Sequence, residues 1–337
     1  MRQLTQMLTE TREAPDVVAR QVASNSKGAE ALGAALRARD PAFVVVCGRG
    51  SSDCAGLYAK YLIETRVGVM VAQMAPSVVS IYGAPLKLAR AAFIVISQSG
   101  QSPDLLAAAE AAKRAGALVI AIVNDESAPL AALADVVLPM HAGAERSVAA
   151  TKSFVASLSA IAHLVACWTQ DGAALGDLSA SPELLRGASA ADWSAALPIF
   201  QSAPSAIVLS RGLSFAIAQE AALKLKETCA LHAEAYSAAE LRHGPVAMLR
   251  QGSPVLAFRP SDASGPSMAP TFAQLRALDA ALIVAGVGEA LPIAPAPAQI
   301  EPMLFALSLY GFASALAVSR GLDPDAPPSL RKITETL

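Results

Sequence analysis

Phe43-Val44-Val45-Val46-Cys47-Gly48-Arg49-Gly50-Ser51-Ser52 is the stretch that decides the fold. Its first four residues form a continuous apolar run between Pro41 and Gly48, the pattern of a strand buried on both faces in a parallel sheet. The run empties into a Gly/Ser turn, and Leu57, Tyr61 and Leu62 then follow a helical period. The same alternation predicts a strand over 67–72 and a helix over 76–82. A third strand, Phe93-Ile94-Val95-Ile96, ends in Ser97-Gln98-Ser99-Gly100 and opens a helix over 103–115. A strand over 118–123, a helical turn near Leu130 and a strand over 136–139 follow. Strand and helix alternate throughout, which predicts an α/β fold with a parallel sheet covered by helices on both faces.

The pattern then restarts. Ala206-Ile207-Val208-Leu209-Ser210-Arg211-Gly212 echoes the first strand and turn, Val255-Leu256-Ala257-Phe258 the third strand, and 281–285 the fourth. A period of ~160 residues is too long for a solenoid and fits duplication of a whole domain. The boundary is expected over 172–203, where Asp, Ser, Pro and Gly replace the periodic pattern. The halves have diverged. The first keeps a hydroxyl-rich loop, Ser97 to Ser102, where the second has Arg259-Pro260-Ser261-Asp262, and a charged helix occurs only in the second. One composite site is expected rather than two equal ones.

Composition narrows the function classes. At 337 residues two domains are the default, and 54% hydrophobic with 16% charged residues suits extensive burial. The net charge of −2 leaves no footprint for nucleic acid, so a bound anion must be held by local devices. Mean hydropathy is +0.44, yet the most apolar run, 155–168, is interrupted by Ser157, Ser159 and His163 and falls short of the ~20 residues of a span. The opening, Met1 to Glu13, has no apolar core of a signal peptide, and a cytoplasmic protein is expected. Cys47, Cys54, Cys167 and Cys229 form no CxxC pair and have no histidine at ligand spacing, so reduced thiols and no metal are expected.

Two segments carry chemistry. A strand that ends in Ser97-Gln98-Ser99-Gly100-Gln101-Ser102 and opens a helix aims backbone N–H groups and hydroxyls at one spot, where the helix dipole favours a phosphate. Capping needs one such residue, whereas this loop has three serines and Gly100. Ser51 and Ser52, at the end of the adjacent first strand, are placed to add hydroxyls. A dinucleotide site is disfavoured, because Asp53 stands at the third glycine position and no acid ends the second strand near Gln73. The second segment is the helix over 214–228. Glu220, Lys224 and Glu227 are spaced four and three apart and share one stripe in largely apolar surroundings. Burial favours the neutral acid and the neighbouring ammonium favours the anion, the balance a base acting on carbon requires. His243, before Gly244-Pro245, is suited to proton transfer at a sugar oxygen.

These segments resemble a known family. Glu220-Ala221-Ala222-Leu223-Lys224-Leu225-Lys226-Glu227, His232-Ala233-Glu234-Ala235-Tyr236 and Glu240-Leu241-Arg242-His243-Gly244-Pro245 closely resemble the isomerase half of glutamine–fructose-6-phosphate amidotransferase. Cys47-Gly48, Ser97-Gln98-Ser99-Gly100, Val148-Ala149-Ala150-Thr151-Lys152-Ser153-Phe154 and Leu330-Arg331-Lys332-Ile333-Thr334-Glu335-Thr336 match it too. The resemblance spans essentially the whole chain as two tandem sugar isomerase (SIS) domains, with flavodoxin-like or Rossmann-like layering. It implies a helical lead-in over 1–30, SIS domains over 31–172 and 204–322, a linker over 173–203, and a tail over 323–337 that covers the site.

The resemblance also implies roles. Ser97, Gln98, Ser99 and Ser102 would bind the phosphate, with Ser51 and Ser52 aligned only approximately because the first turn is two residues longer. Glu227 would shuttle the proton between C1 and C2, with Glu220 and Lys224 around the same sugar. The partner subunit's His243 would open the ring, which calls for a homodimer, and Lys332 would approach the carbonyl carbon. Val148 and Ala150 fall on a sugar-contact segment, where Ala150 replaces a serine. The amidotransferase begins with a glutaminase domain, whereas this chain's opening resembles the linker after it. The expected activity is therefore conversion of glucosamine 6-phosphate to fructose 6-phosphate and ammonia, without a cofactor, nucleic acid or membrane. A deglycase of fructosamine 6-phosphates, a plain phosphosugar isomerase, and a sugar-phosphate sensor without turnover are the rival readings.

Overall fold

The computed structural model describes residues 4–332. Its elements run α1 (Gln6–Arg39), β1 (Phe43–Cys47), α2 (Ser51–Arg66), β2 (Val71–Gln73), α3 (Ser77–Ser80), β3 (Ala91–Ser97), α4 (Pro103–Arg114), β4 (Leu118–Val123), α5 (Pro129–Leu133), β5 (Val136–Pro139) and α6 (Lys152–Thr169). After α7 (Gly172–Ser189) and α8 (Leu197–Phe200) come β6 (Ser205–Ser210), α9 (Phe215–Cys229), β7 (His232–Ser237), β8 (Pro254–Phe258), α10 (Ala269–Ala277), β9 (Ala281–Gly286), β10 (Leu291–Pro292) and α11 (Glu301–Ser319). The described chain divides into two compact units, one of residues 14–145 and 152–182, the other of residues 4–13, 146–151 and 183–332.

Each unit holds one five-stranded parallel sheet, and the fold class expected from the sequence is the one observed. The first has the order β2-β1-β3-β4-β5. The second has β7-β6-β8-β9-β10, the same order element for element. Corresponding strands β1 and β6, β3 and β8, β4 and β9 begin about 160 residues apart, so the internal repeat is a repeat of topology.

Alternation along the strands explains the layering. In the first sheet Val45, Cys47, Phe93, Val95, Val119 and Ala121 pack with Leu105, Ala108 and Ala112 of α4 and Leu130 of α5. Val44, Val46, Ile94, Ile96, Ile120 and Ile122 point the other way and are equally buried. On that face α2 lies so close that a Cβ on Gly56 would sit 3.0 Å from Val46 Cγ1, and α6 packs on α2. The second sheet repeats the plan. Ile207, Leu209, Val255, Ala257 and Val284 pack with Met268, Phe272 and Leu275. Phe258, on the opposite face, meets Phe305 of α11 edge to face at 5.3 Å. Each such fully buried side chain contributes about 1.5–3 kcal/mol.

Four features depart from the sequence-based expectations. The second strand begins at Val71 rather than 67, because Val67 caps α2 through its N–H to Ile63 O and Gly68 turns at φ 81°. β7 is a strand that the hydrophobic pattern does not show. It lies at the sheet edge, pairs with β6 alone, and alternates buried Ala233 with exposed His232 and Glu234. Much of the expected linker is helix α7. The length argument against a membrane span also fails. α6 and α11, at 18 and 19 residues, are long and apolar enough to cross one, but the apolar windows of these helices are 94% and 78% buried inside the protein.

Candidate functional site

In the first unit the chain order reverses between β1 and β3, the position at which open α/β sheets form a crevice beyond their carboxyl ends. Cys47 of β1 lies in register with Val95 of β3, so the turns after these strands flank that point. Ser51 and Ser52 open α2 on one side, and Ser97, Gln98, Ser99 and Ser102 form the turn on the other. The structure thus places all six at one switch point.

The second turn is shaped by its own hydroxyls. Ser97 Oγ accepts the Gly100 N–H at 3.1 Å and Ser99 Oγ accepts the Gln101 N–H at 3.3 Å, leaving each O–H available as a donor. Gly100 has φ 63°, and a Cβ there would come within 2.6 Å of Ala128 Cβ, so this position requires glycine. Its carbonyl accepts the Leu130 N–H at 3.2 Å, which ties the turn to α5. Ser102 is the N-cap of α4 yet its side chain makes no capping hydrogen bond. A further pair was invisible in the sequence. Arg49, in the turn after β1, donates from Nε at 2.8 Å and Nη2 at 2.6 Å to Oδ2 of buried Asp104 in α4. This bridge joins the two turns.

In the second unit the turn after β8 is closed by the protein's own carboxylates. Glu301, buried at the start of α11, accepts the Ser261 N–H at 3.0 and 3.2 Å. Asp262 Oδ1 accepts the Ser264 N–H at 2.8 Å and its hydroxyl at 2.5 Å. Burial raises the Glu301 carboxyl above its ordinary value against the opposing pull of the Ser261 hydrogen bonds, and Asp262 adds to the rise.

The second unit carries the charged helix. α9 ends where Ala230 turns left-handed at φ 48°, and it presents Glu220, Lys224 and Glu227 on one stripe. Glu220 and Lys224 have side chains 0% and 1% exposed, whereas Glu227 is 24% exposed. Lys224 Nζ lies 3.6 Å from Glu220 Oε1 and donates a short hydrogen bond to Glu227 Oε2. The phenol of buried Tyr310, on α11, donates to Glu220 Oε1 at 2.9 Å. A partly accessible carboxylate gripped by a buried ammonium is the arrangement of a general base held in one orientation.

The remaining expected residues fall in this unit. His243 is exposed, in a 3-10 turn (Glu240–His243) ending at Gly244. Val148 and Ala150 are half-buried on the segment 146–151, whose Arg146 and Ser147 N–H groups donate to Glu10 at 2.5 and 3.2 Å. Asp325 accepts the Gln6 and Met7 N–H groups, each at 2.7 Å, and so caps α1. Lys332 is half-buried in a bend, while Ile333 to Thr336 lie outside the described residues. Cys47, Cys54, Cys167 and Cys229 are all buried and in no disulfide.

Comparison with known proteins agrees with this architecture. The SIS domain profile matches residues 40–166 and 199–286. An isomerizing glutamine–fructose-6-phosphate aminotransferase from Leifsonia xyli subsp. xyli is 35% identical over 322 residues, covering 87% of this chain and 51% of that protein. The chain thus spans about half the length of the curated relatives it matches. A crystal structure of a candidate phosphosugar isomerase from Silicibacter pomeroyi DSS-3 superposes with a TM-score of 0.89 at 40% identity, over 96% of this chain and 100% of that one. The C-terminal domain of glucosamine-fructose-6-phosphate aminotransferase from Francisella tularensis superposes with a TM-score of 0.85 at 25% identity, over 97% and 99%. The chain belongs to the SIS domain family and is a phosphosugar isomerase-type member of it, related to the C-terminal domain of those aminotransferases.

Proposed function

We propose that this protein converts glucosamine 6-phosphate to fructose 6-phosphate and ammonia. The observation that carries the reading is Glu227, half-exposed and gripped by buried Lys224, on a chain that also holds the serine turn at a sheet switch point. Ser97, Ser99 and Ser102, with Ser51 and Ser52, anchor the phosphate through hydroxyls and the amino end of α4. His243 of the partner subunit opens the ring. Glu227 takes the C2 proton and returns it to C1, leaving an imine at C2. Water adds at that carbon and ammonia departs, which balances the reaction without a cofactor. Lys332 covers the carbonyl carbon, and Val148 and Ala150 line the sugar. The cytoplasmic setting and the homodimer expected from the sequence belong to the same proposal.

The test is to incubate the purified protein with glucosamine 6-phosphate and measure ammonia and fructose 6-phosphate. Release should be abolished by Glu227→Gln. Release no higher than in that variant, or binding without turnover, overturns the proposal. Sedimentation at micromolar concentration should show a dimer, and Ser97→Ala should weaken competition by inorganic phosphate. A second reading, plain aldose–ketose isomerisation, is favoured by the 40% identity to the Silicibacter protein. A panel of hexose 6-phosphates read by deuterium exchange at C1 and C2 separates the two.

A further inference from the structure

Resting on the isomerase chemistry proposed above, we infer that Tyr310 is a positioning residue for proton transfer, acting through Glu220 and Lys224 on Glu227. Helix α11 is apolar almost throughout, with Met303, Leu304, Phe305, Leu307 and Leu309 all buried. Its few buried polar groups include a phenol. Tyr310 is fully buried and donates its O–H to Glu220 Oε1 at 2.9 Å, across the packing of α11 on α9. Glu220 in turn faces Lys224 at 3.6 Å, and Lys224 donates to Glu227. The four groups form one relay from the apolar core to the carboxylate at the surface.

Stability does not account for the relay. A buried ion pair is often matched or exceeded by apolar side chains of the same volume, whereas such a pair can specify one geometry. Glu220 and Lys224 lie on the same helix, so their pairing leaves the tilt of both side chains about α9 undetermined. A phenol on a second helix supplies an outside reference. It holds the Glu220 carboxylate in one rotamer, and this fixes the height of the ammonium and hence the aim of Glu227. Tyr310 touches none of the reacting atoms, so its effect should fall on turnover rather than on binding.

The experiment uses the full chain with glucosamine 6-phosphate and with the hexose 6-phosphate panel, read by proton–deuterium exchange. Tyr310→Phe should lower kcat roughly tenfold, the scale of a small misalignment at a reacting group, with KM unchanged. The inhibition constant of inorganic phosphate should not move. Glu220→Gln tests the same link from its other end and should lower kcat similarly. The double variant should be no worse than Glu220→Gln alone, because both changes cut one chain. Equal kcat in Tyr310→Phe and wild type overturns the inference. So does a rise in KM together with weaker phosphate inhibition, or full additivity with Glu220→Gln. If wild type exchanges no proton on any phosphosugar, the functional reading falls as well. Exchange by wild type with an indifferent Tyr310→Phe sinks the positioning role alone.

Discussion

Lys224→Met deletes the ammonium at the centre of the relay and keeps the length of the side chain. Its cost can be worked from the two carboxylates it leaves behind. Glu227 is 24% exposed and can turn toward water, so its share is that of a surface pair, about 0–1 kcal/mol. Glu220 has no such exit, because its side chain is 0% exposed. Breaking a buried pair from one side costs about 3–5 kcal/mol, and the Tyr310 hydroxyl donated to Glu220 argues for the lower end. A loss of ~3 kcal/mol at a urea m-value near 3 kcal/mol/M moves the unfolding midpoint down by about 1 M. A carboxylate stranded without its counter-ion binds a proton more readily folded than unfolded. The deficit should therefore be full at neutral pH and shrink as pH falls toward the carboxylate range. Adding Glu220→Gln should recover most of the lost midpoint, and Lys226→Met, on the exposed side of α9, should stay within about 0.5 kcal/mol of wild type. A midpoint shift under about 0.3 M for Lys224→Met, or no recovery in the double variant, would refute the reasoning.

Three further outcomes follow from the geometry. Ser102→Ala should leave the unfolding midpoint unchanged, because its hydroxyl caps nothing, yet weaken inhibition by inorganic phosphate; a stability loss near 1 kcal/mol would mark it as an ordinary cap. Burial pushes the Cys47 thiol up to about 12 and the Cys229 thiol up to about 11, so neither should react with a disulfide reagent at pH 8 until denaturant is added, and a fast native reaction at either contradicts the packing. Burial raises the Glu301 carboxyl in the folded state, so its stabilising contribution is present at low pH and fades as pH climbs through the raised value. Urea midpoints of wild type should accordingly fall relative to Glu301→Gln as pH rises from the ordinary glutamate range, and parallel profiles would show that Glu301 is not desolvated.

What could be read from the sequence was set by how local each signal is. β1, β3, β4, β6, β8 and β9 are short runs rich in Val, Ile, Leu and Phe and largely buried on both sides, and their brevity and flanking turns mark them as strands. β7 is His-Ala-Glu-Ala-Tyr-Ser, poor in β-branched residues, and only pairing with β6 makes it a strand. The serine turn and the Glu220–Lys224–Glu227 stripe were legible because each lies within one turn or one helix. Arg49 with Asp104, and Tyr310 with Glu220, were not, since each pair joins elements far apart in sequence. A tyrosine in an apolar helix gives no sign of where its hydroxyl points until the neighbouring helix is packed against it.

Duplication supplies two sheets of one topology, and hence two equivalent crevices. What the chain has done with the second bears on what the first is for. In the turn after β8 the Ser261 and Ser264 N–H groups, which could meet an anion, already hold Glu301 and Asp262. After β3 the Ser97 and Ser99 hydroxyls accept N–H groups of their own loop and keep their O–H donors, Ser102 leaves the amino end of α4 uncapped by its side chain, and the Asp104 carboxylate is drawn to Arg49. The phosphate site proposed for the first crevice has a direct test, because inorganic phosphate should protect it. With Ser97, Ser99 and Ser102 intact, phosphate should raise the unfolding midpoint in proportion to the logarithm of its concentration, and a Ser97→Ala/Ser102→Ala variant should lose that response. An equal response in the double variant would mean that phosphate binds elsewhere, and the division of labour between the two crevices would have to be abandoned.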